Sequence, residues 1–319
     1  MQNSDYVEIV STRMNPHVDP ALQVWGWEVP VYLFMGGLVA GLMFLYSVVV
    51  LLKREQRYPT VAKVVPLVAT PLLGLGLFFL FLDLEFKAHV LRFYTSFQFS
   101  SPMSWGSWIL LIVFAVGGVQ FLYTLAELKT FRNSRIGKWK LWNLIAKTPE
   151  KLRRRLAWWS LVLAIALGIY TGLLLASLTA RPMWNSALIG PVFLVSGLST
   201  GTALTMLMAR AKAERKILLR FDLVLVFMEL ALILMWIGAM AHGSATGLQA
   251  SEQILGGPYT AVFWSLVVVA GLIVPAILEV QSLRGRWPHT VVAPALILVG
   301  GLVLRLVLVQ AGQSFGYGA

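Results

Sequence analysis

The chain has 319 residues, 58% of them apolar and only 13% charged, whereas charged residues make up roughly 25% of a soluble domain. No soluble core could hide that apolar surface, so the composition excludes a soluble globular protein and points to membrane-spanning helices. The formal net charge of +12 is spread over several loops, which argues against nucleic acid as a partner.

In chain order, residues 1–28 form a polar, slightly acidic tail. It has no basic stretch followed by an apolar core, so no cleaved leader is expected and the first span serves as the insertion signal. Long apolar stretches follow at about 29–52, 61–82, 104–126, 157–178, 188–208, 221–241, 259–281 and 290–311. Each is close to the ~20 residues that cross a bilayer as a helix.

Of the 26 Lys and Arg residues, 21 fall in four alternate gaps between these stretches. Lys53, Arg54, Arg57 and Lys63 follow span 1, and ten basic residues from Lys129 to Arg155 follow span 3. Arg210, Lys212, Arg215, Lys216 and Arg220 follow span 5, and Arg284 and Arg286 follow span 7. The excess of basic residues marks these gaps as cytoplasmic. The opposite side keeps Arg13, Lys87, Arg92 and Arg181 with the acids Asp5, Glu8, Asp19, Glu28, Asp83, Glu85 and Glu252. Both termini are therefore expected on the periplasmic side of a bacterial inner membrane, and Arg153, Arg154 and Arg155 are expected to touch anionic lipid.

Spans 1 and 5 resemble one another. Pro30-Val-Tyr-Leu leads to Gly37 and Gly41, and Pro191-Val-Phe-Leu leads to Gly197 and Gly201. Two readings stay open: a parallel duplication of four helices, or small residues placed simply to let helices approach closely. Residues 127–156 read as a linker. The tail, residues 83–103 and residues 242–258 are long enough to form a docking platform for a partner.

The chemistry that is missing narrows the function. The absence of Cys excludes an iron–sulfur cluster or a disulfide in this chain. The four histidines, His17, His89, His242 and His289, place no pair within the hydrocarbon, where a b-type haem needs two. Any redox role must therefore use a diffusible, lipid-soluble carrier.

Several segments carry a resemblance. Trp25-Gly-Trp-Glu-Val-Pro-Val-Tyr-Leu-Phe-Met-Gly-Gly-Leu-Val-Ala-Gly41 opens span 1, and Phe81-Leu-Asp-Leu84 closes span 2. Ser100-Ser-Pro-Met-Ser-Trp-Gly-Ser-Trp108 opens span 3, and Tyr170-Thr-Gly-Leu-Leu-Leu-Ala176 lies in span 4. Pro182-Met-Trp-Asn185, Ser196-Gly-Leu-Ser-Thr-Gly201, Gly300-Gly-Leu-Val-Leu-Arg305 and Gln310-Ala-Gly312 follow. Over nearly its whole length the chain resembles the NrfD/PsrC family, the membrane quinol subunits of polysulfide reductase-type respiratory complexes.

The resemblance implies an all-α integral membrane protein of eight helices in two four-helix bundles, residues 29–156 with span 4 and the rest of 157–319. It implies a haem-free subunit that binds menaquinol or ubiquinol near the periplasmic face. Its partners would be a periplasmic, ferredoxin-like iron–sulfur subunit and a further catalytic molybdopterin or multihaem cytochrome subunit. The redox direction stays open. The two extra helices of the alternative complex III type are absent.

A quinol site needs partners for two ring oxygens and an acceptor for protons. Glu28 and Tyr32, four residues apart, share one face of span 1. The polysulfide reductase branch aligns a His with Tyr32 and an Asn with Val29, so Glu28 is a candidate proton acceptor here, or an ordinary acid at a helix N-terminus. Arg305, inside span 8, needs an acid, and Asp83 is the expected partner, either structural or in the pocket wall. The Tyr-Thr-Gly match brings in Tyr170, which is otherwise a packed aromatic. Trp27, Trp105 and Trp184 read as interfacial belt residues or pocket walls. Ser101-Pro102 caps span 3. Asp222, Glu229 and Glu279 are candidates for a proton path from the cytoplasm, or for hydrogen bonds between helices. A secondary transporter and a structural anchor for the partner are the rival functions.

Overall fold

A computed structural model of the chain describes residues 25–84, 87, 97–98, 101–135, 137–179, 181–286 and 291–314. The expectations placed on the tail through Val24, on His89, Arg92 and His289, and on most of the segment between spans 2 and 3 lie outside these residues.

The described residues are helical throughout their regular structure, as hydrocarbon demands of a backbone that must satisfy its own polar groups. Eight helices are long and apolar enough to cross a membrane. They are α1 (Glu28–Leu51), α3 (Val65–Asp83), α4 (Pro102–Glu127), α6 (Glu150–Ala176), α7 (Ile189–Met208), α8 (Lys212–Gly243), α10 (Thr260–Leu283) and α11 (Val292–Ser314). Shorter helices are α2 (Pro59–Lys63), α5 (Lys140–Ala146) and α9 (Ala245–Leu255).

The boundaries depart from expectation where charges ride on helix ends. α6 begins at Glu150 and α8 at Lys212, so Arg153 to Arg155 and Arg215 to Arg220 stand on helical turns rather than in loops. Side chains of this length carry their charge to water from a helix, so a charge does not stop the helix. Span 2 breaks at Val64, just before Pro66 in the first turn of α3. Proline tolerates that position because its missing N–H would be unpaired there anyway. Ser101 precedes Pro102 in extended conformation, but its hydroxyl caps nothing. Its carbonyl accepts from the N–H groups of Ser104 and Trp105 instead. Gly285 takes a positive φ of 71° in the turn after α10, a conformation that suits glycine.

α1 is the most enclosed of the eight. It packs against α3, α6, α7 and α11, while α4 closes against α3 and α6. On the other side α7 packs on α8 and α11, and α10 bridges α8 and α11. The two glycine pairs noted in spans 1 and 5 meet each other. A Cβ on Gly197 would lie 2.7 Å from the Gly37 carbonyl oxygen, and one on Gly201 would lie 2.7 Å from the Gly41 Cα. Close approach is thus sufficient to account for the glycines.

Two further ties join the halves. At the end carrying the basic loops, buried Glu214 of α8 accepts from the N–H groups of Thr60 and Val61 at 3.0 Å each. At the opposite end Trp25 stacks on Trp184 with ring centroids 5.5 Å apart. The Trp25 N–H donates to the Gln313 side chain at 2.8 Å, and the Gln313 amide donates back to the Trp25 carbonyl at 3.0 Å. Trp184, expected at a lipid interface, is buried instead and donates from its indole to the Leu308 carbonyl at 2.7 Å.

Candidate functional site

At the end opposite the basic loops, α1, α3, α4 and α6 enclose a cleft of about 370 Å³, within the usual range for small-molecule sites. Its walls are apolar, with Val29, Leu77, Leu80, Met103, Leu110 and Leu174 among them. Four polar side chains face it: Tyr32, Asp83, Ser107 and Tyr170.

Helical spacing accounts for this grouping. Tyr32 stands one turn inside the start of α1 and is almost wholly buried. Asp83 is the last residue of α3, half-buried at the mouth. Tyr170 and Leu174, four residues apart, show one face of α6 to the cleft. The Tyr170 phenol lies directly against Gly106 of α4, where a Cβ would overlap it, and its hydroxyl makes no hydrogen bond to a described residue. The Ser107 hydroxyl donates to the Ser104 carbonyl at 2.8 Å.

Glu28 sits outside the lining, with its carboxylate folded back over Gly26, and interacts electrostatically with Asp83. Two carboxyls therefore flank the mouth. Trp27 is exposed on the rim, edge-on to Phe79 with centroids 5.7 Å apart. Trp105 is 41% exposed and is not among the side chains that line the cleft.

Arg305 is not the partner of Asp83. Depth suggests that pairing, but α11 packs on α1, α7 and α10, whereas Asp83 ends α3 on the far side of α1. The fully buried guanidinium donates from Nη1 to the Ser196 hydroxyl at 2.6 Å and to the Gly301 carbonyl at 2.8 Å. Nη2 donates to the Phe193 carbonyl at 3.3 Å, and the group lies 5.0 Å from the Phe193 ring centroid. The balancing charge comes from Glu229, which interacts electrostatically with Arg305 and lies near the same Ser196 hydroxyl. Arg305 is thus absent from the cleft.

The remaining acids gather nearer the basic end. Asp222 accepts from the Ser199 hydroxyl at 2.9 Å and faces Glu279. Neither Glu279 oxygen reaches hydrogen-bond geometry, nor does the second Asp222 oxygen. A small void of about 30 Å³ lies between Glu279, Ser282 and Arg215. Sequence reasoning misses Ser196 and Ser199, because a serine in an apolar helix reads simply as a small packing residue. It also misses a polar group in the other half. The Tyr46 and Tyr123 hydroxyls hydrogen-bond to each other, and Arg153 lies 4.8 Å above the Tyr123 ring. A void beside them is lined by Thr70 and Gln120. These residues lie far apart in sequence, and no spacing signals their meeting.

Among the described residues no cluster of three or more His, Asp or Glu could hold a metal ion. His242 is exposed at the end of α8.

The chain is 28% identical to a polysulfide reductase component of Wolinella succinogenes over 305 residues, covering 92% of this chain and 95% of that protein. It is 30% identical to protein NrfD of Escherichia coli over 313 residues, 91% and 95% of the two chains. It is 26% identical to a selenate reductase component of Mesobacillus selenatarsenatis, 89% and 73% of the two. Residues 11–316 match the family described as "Polysulphide reductase, NrfD". With that match and eight membrane-crossing helices, the chain is a multi-pass inner-membrane protein that belongs to the NrfD family.

Proposed function

We propose that this chain is the quinone-reactive membrane subunit of a respiratory oxidoreductase complex, with quinol bound in the cleft between α1, α3, α4 and α6. The observation that carries the reading is the meeting of Tyr32, Asp83 and Tyr170, from three helices, in one apolar slot at the sparsely basic end. An aromatic ring with oxygens at opposite ends fits such a slot. Its faces meet Leu and Met side chains, and the phenols offer hydrogen bonds at its edge. On this reading the packing forms two four-helix bundles, both termini face the periplasm and the basic loops face the cytoplasm.

A bound quinol supplies two electrons and two protons. The Tyr170 and Tyr32 hydroxyls hold and orient the ring oxygens. Asp83 would receive the two protons in turn at its carboxylate, and Glu28 beside it would pass each on to water at the mouth before the next arrives. The apolar walls exclude bulk water from the ring. Relatives named as reductase components imply electron-transfer and catalytic partners, and an iron–sulfur protein docked over the cleft mouth would accept the electrons. Arg305, Glu229, Asp222 and Glu279 then serve outside the quinol site. The serine links at Ser196 and Ser199 suit a proton path from the basic end.

Organic extraction of the purified chain should yield quinone without haem absorbance, and Leu110→Trp, which fills the cleft from α4, should remove the quinone. Quinone-free wild-type protein whose assembled complex still turns over with quinol would overturn the proposal.

A further inference from the structure

A second depression lies at the basic end, where the last residue of α1 meets the first three turns of α6. Leu51, Lys151, Arg154, Arg155, Trp158 and Trp159 line it, and Glu150 stands among them. It is open and holds about 580 Å³.

Its chemistry is divided by depth. Lys151, Arg154 and Arg155 sit on the turns that leave the membrane, and none makes a hydrogen bond or ion pair with a described residue. One turn deeper, Trp158 and Trp159 are 61% and 63% exposed beside Leu51. Three uncompensated cations against one carboxylate, above two bare indoles, complement a molecule with an anionic head and apolar tails.

Arg153 shows what a structurally committed arginine looks like here. It pairs with Glu127 at 2.5 Å, donates to the Thr148 and Ala146 carbonyls at 3.1 and 3.3 Å, and covers Tyr123. It therefore does not join the surface contact expected for all three consecutive arginines. The helix just before it, α5, presents exposed Leu141 and Leu144 beside Lys140. That mixture marks the headgroup level of the bilayer.

We infer that the depression between α1 and α6 is a binding site for one anionic phospholipid of the leaflet on the basic side, its phosphate held by Lys151, Arg154 and Arg155 and its acyl chains laid on Trp158 and Trp159. Basic residues at this level each add roughly fivefold to the binding of an acidic lipid, so a preference of at least tenfold over a zwitterionic lipid is expected.

Native mass spectrometry of the detergent-purified full chain, titrated with dioleoylphosphatidylglycerol or dioleoylphosphatidylcholine, tests this. Wild-type protein should retain phosphatidylglycerol at least tenfold more tightly. The variant K151Q/R154Q/R155Q should lose that preference, while K138Q/K140Q, which removes two cations outside the depression, should keep it. Trp158→Ala/Trp159→Ala should weaken both lipids. Equal retention of the two lipids by wild type would overturn the site. So would an unchanged preference in the triple variant, an equal loss in K138Q/K140Q, or displacement of the lipid by millimolar inorganic phosphate.

Discussion

Gly106→Ala tests the cleft without altering any charge or hydrogen-bonding group. The added methyl on α4 would occupy the space of the Tyr170 phenol, and α4 and α6 are packed neighbours. Carbon atoms settle at about 3.5–4.0 Å, so the phenol must retreat by roughly 2 Å, and the free direction is into the cleft it lines. Overpacking of this kind costs about 1–3 kcal/mol of stability, which a multi-helix membrane protein should survive. The displaced ring would then occupy the slot proposed for the quinol head. In the assembled complex kcat/KM for quinol should fall at least tenfold, about 1.4 kcal/mol in barrier. In a Tyr170→Leu background the same change should add less than about 0.5 kcal/mol, because the ring it pushes is gone. Folded Gly106→Ala protein with wild-type quinol kinetics and wild-type quinone content would refute the reasoning.

Three other changes probe separate parts of the account. Glu28→Gln and Tyr32→Phe should each lower quinol-dependent turnover at least tenfold with assembly intact, and wild-type rates in both would remove α1 from the site. Gly197→Ala places a methyl 2.7 Å from the Gly37 carbonyl oxygen and should cost about 1–3 kcal/mol, read as a lowered thermal midpoint in detergent; an unchanged midpoint would deny that α1 and α7 cross there. Glu214→Ala strips the acceptor from two backbone N–H groups of α2. Stability should fall by about 1–3 kcal/mol while quinol kinetics hold, and lost turnover in a stable variant would show that the tie does more than join the halves.

The eight helices are legible because hydrocarbon leaves the backbone no alternative and because apolar length is read directly from the chain. Helix ends are less so: Glu150 and Lys212 start helices whose first turns carry arginines into the headgroup layer, and charge alone does not mark where hydrogen bonding begins. Tyr32, Asp83 and Tyr170 each stand out in the sequence, and the structure places them around one cleft. Depth alone assigns Arg305 to Asp83, but depth says nothing of which helices are neighbours or how α11 is turned. The contacts of Arg305 with Ser196 and Phe193 depend on how α11 packs against α7, with Gly37 of α1 leaving room beside the guanidinium. The Tyr46 and Tyr123 contact belongs to the same class, since it depends on helix rotation rather than on any motif.

Cross-linking of the assembled complex with a photoreactive quinone, followed by mapping of the labelled peptides, bears most directly on where quinol binds. Adducts on Met103, Tyr170, Leu174 or the Phe81 to Leu84 turn are the expected result, and excess quinol should suppress them. Adducts confined to α8, α10 and α11 would contradict the account.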